Sequence, residues 1–395
     1  NHAGIASIVV SRTYAAHPSS PALAWETDLS GGVIRSVTGG TFQYTATSTE
    51  GSLGAVTYTS SNPAVATVAS DGTLTPLTDG TTTITATIEA NGCYSEQSIT
   101  YSLTLSAATL AELIDATPES GTLTLTGNYA EDAIINKAIT IDAQGHSIGN
   151  LTVEQTGDLT LSSALTVNDF TICAKAGNTS IPAASGQVRN ASDLTVNGNA
   201  YFLYTVDPSG TVHYGWYDFT VPFPVNAASG IKGIDGSGLK ENFANGTDYA
   251  IMEYLGDKQA QGQYPYKKFS GIMQPNKLYS ITLDNDFNYN TLRMQKTAEG
   301  ALVASDNVTL HAYAGSGVYT NLNGVGNGTL HHADAGISGT YIQVYQSGNK
   351  TFLAVEKSEY SLVVGSAFMV QETGTMTLSQ ATHGALLAPS RYESA

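Results

Sequence analysis

The sequence predicts an all-β protein built from several domains. Thr81–Ile88 and Ile99–Leu105 alternate strictly, with apolar residues on one side of a strand and hydroxyls on the other. Seven apolar-Thr-apolar triplets follow between residues 123 and 196, separated by Gly, Asn and Asp. Composition agrees: 12% of the 395 residues are charged, 41% are hydrophobic and 40 are glycine, so strong helix formers are scarce and the water-facing sides of strands carry Thr and Ser.

Residues 1–28 contain one strand-like piece, Ile5–Val10, followed by His17-Pro18-Ser19-Ser20-Pro21, whose prolines favour an extended linker. Trp25 is expected to pack at a domain edge. From residue 29 strands and turns alternate. Phe42, Tyr44 and Ala46 share one side of Thr41–Thr47, Ser60-Ser61-Asn62-Pro63 is a turn cluster, and Val65 and Val68 follow it. Asp71-Gly72 and Asp79-Gly80 are hairpin signals, and the second leads into the strand that aligns Ile84, Ala86 and Ile88. The order S-S-N-P, A-x-V, D-G, then a second Gly before T-x-T-I-T-A-T resembles the bacterial immunoglobulin-like domain of group 2, over about residues 29–106. Tyr58 stands where that family often carries Trp. The resemblance implies a two-sheet sandwich of secreted and surface proteins, a module that displays other domains.

Residues 107–199 open on the best helix candidate, Ala107–Ala116, with Ser106 as its cap and Leu110, Leu113 and Ile114 on one face. Such a helix covers the open end of a β-solenoid, which otherwise exposes apolar area and strand edges. The triplets then read as short rungs whose inward residues stack from coil to coil, two to four coils in all. Ile139–Ile148 (ITIDAQGHSI) resembles a rung of parallel β-helix proteins, the pectate-lyase-like ones included. The competing reading is an antiparallel meander, and lateral strand order separates the two.

From Asn197 the chain turns aromatic. Strands are expected at 200–206 and 211–220 around Asp207-Pro208-Ser209-Gly210, then at Ala301–Ser305, Val308–Ala314, Tyr341–Tyr345, Thr351–Val355, Ala367–Gln371 and Thr375–Leu378. Gly215–Phe223, with Trp216, Pro222 and Phe223, and Met273–Ile281 (MQPNKLYSI) resemble strands of uncharacterised secreted proteins of the Bacteroidetes, with Asn276 where Gly is commoner. Residues 200–395 are expected to form a C-terminal β-sandwich of jelly-roll type. The expected organisation is thus a linker over 1–28, an immunoglobulin-like sandwich over 29–106, a short parallel β-helix-like segment with its capping helix over 107–199, and the sandwich over 200–395.

The net charge of −17, from 33 acids against 16 bases, disfavours nucleic acid, because phosphate contacts need a concentrated basic patch and the densest basic spot is Lys267-Lys268. No apolar run is long enough to span a membrane. Cys93 and Cys173 fall in separate domains and read as isolated thiols. The chain begins at Asn1 rather than Met, which fits a trimmed leader, and Pro389–Ala395 carries no stop signal for its last element.

Chemistry-bearing motifs are few. Asp284, Asp286 and Asn288 alternate as in calcium loops, yet an EF-hand needs Gly and Glu where this chain has Tyr289 and Gln295, so an Asx-rich turn is expected. His331 and His332 with Asp334 resemble a metal set, but adjacent histidines on a strand face opposite ways. Gly324-Val325-Gly326-Asn327-Gly328 lacks the strand–loop–helix context and the Lys of a phosphate loop. Glu253, Asp257 and Glu372 are scattered where a glycosidase needs a pair, and Asp142, Glu154, Asp158 and Asp169 in the solenoid have almost no basic residue beside them. No metal and no cofactor is expected. Tyr214, Trp216, Tyr217, Tyr264 and Tyr266 form the candidate ligand set, since flat rings stack on pyranose faces. The sequence therefore reads as a secreted or outer-membrane-surface, non-catalytic structural or adhesive module (cell adhesion) whose partner is a glycan or a host or bacterial surface protein. The alternatives are a carbohydrate-binding protein of a polysaccharide-utilisation system and, behind it, a polysaccharide lyase or hydrolase.

Overall fold

A computed structural model describes residues 23–48, 55–90, 95–177, 183–206, 216–235, 238–284, 291–315, 320–346, 351–357 and 362–381. The expected Ile5–Val10 strand and the Asp207–Gly210 turn lie outside these residues. The chain divides into two compact units, Asn1–Leu113 and Ile114–Ala395. Both are built almost wholly of strands, as the alternation predicted.

In the first unit the alternating runs become Gly80–Ile88 and Gln97–Ser106, paired antiparallel from Gly80↔Leu105 to Ile88↔Gln97. Thr57–Ser60 flanks this pair on one side and Val33–Ser36, parallel to the last strand, on the other. A second sheet orders Phe42–Gln43, Thr73–Pro76 and Ala66–Val68, with Asp71-Gly72 as its hairpin turn and Gly72 at φ 85. Asp79-Gly80 departs from expectation: Thr73–Pro76 and Gly80–Ile88 lie in different sheets, so this pair marks a crossing between layers. Ile84, Leu103, Leu105, Leu74 and Ala66 fill the space between the layers. Trp25 also belongs to that packing. Its strand, Leu23–Trp25, pairs with Ala46–Ser48, and its ring meets Tyr101 edge-on at 5.0 Å and tilts over Tyr58 at 6.2 Å. Tyr58 keeps the core aromatic and accepts the amide of Ala46 at its hydroxyl, 2.9 Å away. The expected helix is present over Leu110–Ala116, but Thr109 rather than Ser106 caps it. Thr109 Oγ1 accepts the Glu112 amide at 3.3 Å, and Glu112 Oε2 accepts the Thr109 amide at 2.9 Å, a reciprocal capping box.

The second unit begins with Lys137 Nζ donating to the carbonyls of Asp115 and Thr117 at 3.0 and 2.8 Å, which satisfies acceptors at a helix end. Six of the seven triplets lie wholly in strands, the first running one residue past Gly121–Thr124, and their lateral order is parallel. One sheet stacks Gly121–Thr124, Ala138–Asp142, Asp158–Leu161 and Gln187–Arg189; a second stacks Ala133–Ile135, Leu151–Val153, Phe170–Lys175 and Ala200–Thr205. The segment is therefore a parallel solenoid. The register Leu123↔Ile141↔Leu161 shows how identical faces stack inward, while Thr122, Thr140 and Thr160 line up outside. The irregular triplet spacing has a local cause. Gly121 meets Ile139 and Ile139 meets Leu159, offsets of 18 and 20 residues, but Leu159 meets Val188, an offset of 29. The excess is an excursion after Phe170–Lys175 that includes Ala184–Ser185, which folds back antiparallel on that strand.

One corner of the solenoid is fixed by a ladder of short polar side chains. The amides of Asn150, Asp169 and Asn199 donate to the Oδ1 atoms of Asp132, Asn150 and Asp169 at 2.9, 3.1 and 2.7 Å, each one coil below. Glycine is required where coils touch backbone to backbone: a Cβ on Gly157 would run into the Ile135 carbonyl oxygen, and one on Gly186 into the Glu154 carbonyl oxygen.

The Ala200–Thr205 strand then ends the solenoid and begins the sandwich. It is parallel to Phe170–Lys175 on one side and antiparallel to Thr291–Gln295 on the other, and the sheet continues to Ile231–Asp235 and Gly238–Lys240. A facing sheet orders Tyr217–Phe219, Tyr279–Leu283, Tyr249–Tyr254 and Tyr266–Lys268. The two are joined by stacked rings, Phe202 on Tyr204 and Tyr204 on Phe219, both at 5.5 Å. Further along, Phe368, Val370, Ile342, Met376 and Leu378 fill a separate core between two more antiparallel sheets. Ala367 and Met369, on the other side of the same strand, pack with Tyr254 and Leu278. Burial on both faces explains its unbroken apolar run, Ala367–Val370. The solenoid is bolted to this distal part as well: Val188 N donates to the Leu330 carbonyl at 2.6 Å, His332 N to Gln187 Oε1 at 3.0 Å, and Val364 N to Ser185 Oγ at 2.9 Å. Asn276 stands at φ 63, which explains the preference for Gly there. Ala301–Ser305, expected as a strand, is irregular and lines a groove.

Gly157→Ala should lower unfolding stability by about 2–4 kcal/mol, because a backbone carbonyl cannot move aside. Gly127→Ala, where a Cβ meets nothing within 4 Å, should change it by less than about 0.5 kcal/mol. Urea titrations of both variants check this, and equal effects would remove the stacking argument.

Candidate functional site

The aromatic candidates do not converge. Tyr214 lies outside the described residues. Trp216 is exposed at the edge of the Tyr217–Phe219 strand, and Tyr217, the next residue, points the opposite way and is buried in the core. Tyr264 is 72% exposed and its ring stands 5.9 Å from Tyr266. Tyr266 in turn meets buried Tyr254 edge-on at 5.6 Å. The ladder places Tyr217 opposite Ile281 and Ile251, whereas Tyr266 is opposite Tyr254. Three residue steps and three strand spacings separate Tyr217 from Tyr266, roughly 18 Å. Tyr264 and Tyr266 therefore form one rigid aromatic pair, and Trp216 stands apart from it.

Five of the seven carboxylates considered for catalysis have structural partners. Asp158 grips Arg189 through two bonds of 2.8 and 2.9 Å. Asp142 accepts from Ser163 and Gln144, and these bonds lower its pKa. Asp169 belongs to the corner ladder. Glu253 lies 3.8 Å from Lys277, and Glu372 accepts the amides of Ser338 and Gly339. Among the described residues no three His, Cys, Asp or Glu side chains are placed to hold a metal ion. His332 is buried, with Nε2 donating to the Ser185 carbonyl at 3.0 Å, while His331 Nε2 lies 3.5 Å from Asp306. Asp286, Asn288 and Cys93 lie outside the described residues. Cys173 is half-buried and unpaired, and burial, with Glu154 nearby, pushes its thiol up to about 11, far from nucleophilic.

A group that sequence reasoning missed is Asp218, between Tyr217 and Phe219. Its side chain leaves the aromatic face and points at Ser280, whose hydroxyl donates to Oδ1. Oδ2 is sealed from water with no partner among the described residues, and so is Oγ1 of Thr220, on the same side of the strand. Burial pushes the carboxyl up to about 7, against the lowering effect of the Ser280 bond. An acid inside a Tyr-Asp-Phe strand was the available signal. Separately, a groove of about 530 Å³ is lined by Pro224, Ile272, Pro275, Thr297, Ala301 and Val303 among others, with no aromatic ring in its lining.

Residues 36–94 match the model of the bacterial Ig-like domain (group 2). The Ig-like match lies inside the sandwich of the first unit and contains its S-S-N-P, D-G and T-x-T-I-T-A-T elements. No curated protein matches the chain. Among solved structures, one titled as the crystal structure of the S-layer protein rSbsC(31-844) is 12% identical, with a TM-score of 0.20, covering 94% of this chain. The chain spans 41% of that protein's length, and so loose a superposition adds nothing to the fold described above. No helix among the described residues is long and apolar enough to cross a membrane.

Two buried groups set opposite pH dependences. Burial holds His332 below its ordinary 6.5, so its contribution is present above that pH and is lost as pH falls through the lower folded value. His332→Asn should flatten the acid limb of the stability profile. Asp218, raised from 3.8 to about 7, keeps a proton in the folded state that the unfolded chain releases, so its contribution is lost as pH rises towards 7. Asp218→Asn should therefore stabilise on the order of 3 kcal/mol at pH 8, with the gain shrinking towards pH 4. Thermal unfolding across that range tests both, and a pH-independent difference would contradict the assignment.

Proposed function

We propose that the chain is a secreted or cell-surface, non-catalytic protein that serves as a structural or adhesive display module. Its proposed parts are an Ig-like domain over 29–106, a short solenoid over 107–199 and a sandwich region over 200–395. The observation that carries the reading is the Ala200–Thr205 strand, hydrogen-bonded into the solenoid on one edge and the sandwich on the other, which makes these two parts one stiff body. The Ig-like match, to a module type found in surface proteins, supports it. So does the use of the candidate carboxylates as ladder members, ion-pair partners and turn caps. Antibody raised against the protein should label intact cells of its native host and be lost on mild surface proteolysis. Recovery only from the cell interior would overturn the reading. Incubation with pectin-like and other polysaccharides should yield no new reducing ends.

A second reading, glycan recognition, is favoured by one observation: Tyr264 holds an open ring face on a rigid aromatic support. Stacking a pyranose on such a ring is worth on the order of 1 kcal/mol beyond area burial. A glycan array with the full chain should show binding that Tyr264→Ala weakens and Trp216→Ala leaves unchanged. A blank array, or loss with Trp216→Ala alone, counts against it.

A further inference from the structure

Residues 200–300 hold eight of the chain's 16 Lys and Arg, against ten of its 33 acids, while residues 1–199 hold five bases and 17 acids. Within that stretch Lys232, Lys240 and Lys277 are matched to Glu241, Asp248 and Glu253. Lys258, Lys267 and Lys268 make no ion pair among the described residues, and they bracket Tyr264 and Tyr266 within eleven residues of sequence. The Tyr266–Lys268 strand is the last of its sheet and is paired on one side only. Alternate residues of a strand share a face, so Lys268 follows Tyr266 along one side, and Lys267 leaves from the other, opposite Glu253. Lys267 and Lys268 are exposed and Lys258 is half-buried on the helix Gly256–Ala260; exposed Asp257 is the acid of this strip.

We propose that this edge binds an anionic polysaccharide of the polyuronate class, with a sugar ring on Tyr264 and uronate carboxylates on Lys268, on the Tyr266 side of the strand, and on Lys258, whose carbonyl accepts the amide of Gln263 next to Tyr264 at 2.9 Å. The proposal rests on the glycan reading and deepens it by naming the charge of the ligand and the face that takes it. A neutral glycan would need the ring pair alone and would leave the ammonium groups of Lys258 and Lys268 unmatched beside it. Carboxylates convert them into charge-assisted hydrogen bonds. The chain's overall negative charge does not forbid this, because charges beyond about 8 Å are largely screened at physiological salt. Lysines on an edge strand also have a plainer use, as guards against edge-to-edge pairing, and the test separates the two.

The full chain should be retarded in gels containing polygalacturonate and pass unretarded through gels containing neutral dextran or mannan. Retention should fall on raising the salt, and the apparent Kd should rise about tenfold or more both in Tyr264→Ala and in the double variant Lys258→Gln/Lys268→Gln, and stay unchanged in Lys267→Gln. Circular dichroism confirms that each variant is folded. Equal retention by neutral and acidic polymers would overturn the proposal while leaving glycan recognition standing, whereas binding to no polysaccharide would remove both. A lysine double variant that self-associates yet holds polygalacturonate unchanged would show the lysines to be edge guards and likewise overturn it.

Discussion

In-register parallel pairing of the solenoid coils is the constraint on which the larger unit depends. A parallel coil cannot stop cleanly, since its last strands leave a row of unpaired amides and carbonyls and an open apolar interior. Here the final coil is closed by further pairing. Ala200–Thr205 gives its outer edge to Thr291–Gln295 over five residue pairs. The corner ladder crosses the same seam, because Gln295 Nε2 donates to Asn199 Oδ1 at 2.9 Å. On another side of the coil, the amide of Val188 is taken up by the carbonyl of Leu330. The sandwich is thus the answer to an edge problem created by the solenoid, and the sheet they share resists bending because hinging there would break several backbone bonds together.

Polar groups cross the remaining joint, and their cost sets how tightly it must fit. Ser185, Gln187 and His332 are all buried, and each unmade bond among them would cost about 1–3 kcal/mol. They are matched instead, with Ser185 serving both the imidazole of His332 and the amide of Val364. Such a network tolerates little displacement, so the two parts meet in one geometry. Asp218 and Thr220 are the exception, with oxygens sealed and unmatched on one strand. That local destabilisation is carried by the aromatic packing on the opposite face, where Phe219 lies between Tyr204 and Tyr279.

Much of this architecture was legible in the sequence wherever one face of a strand is apolar and the other is Thr. Alternation found every triplet strand and the two long strands of the Ig-like sandwich. It passed over Ile231–Asp235 and Gly238–Lys240 because a central glycine, Gly233, sits where a large side chain would announce burial: the Phe243 ring fills that space. The helix was visible from Leu110, Leu113 and Ile114, but its start was misplaced because Ser106 and Thr109 are both acceptable caps, and only Glu112, three residues after Thr109, distinguishes them. Asp79-Gly80 has the composition of a hairpin, yet nothing local records that the next strand belongs to the other sheet.

The aromatic site was half legible for a related reason. Composition marks Tyr and Trp without saying which way they face: Trp216, just before the Tyr217–Phe219 strand, is exposed, and Tyr217, the next residue, is buried. Tyr266 and Lys268 are alternate residues of one strand, and the ring of Tyr264, two residues before it, stands 5.9 Å from that of Tyr266. What the sequence lacked was the partner of each lysine. Lys277 and Lys267 look alike as residues; the register sets Lys267 opposite Glu253, yet the Glu253 carboxylate lies 3.8 Å from Lys277, and Lys267 makes no ion pair among the described residues. An unmatched charge at a surface costs little, so folding alone does not require its removal. Lys258 and Lys268, beside the exposed ring of Tyr264, are the charges on which the proposed recognition of an anionic polymer rests.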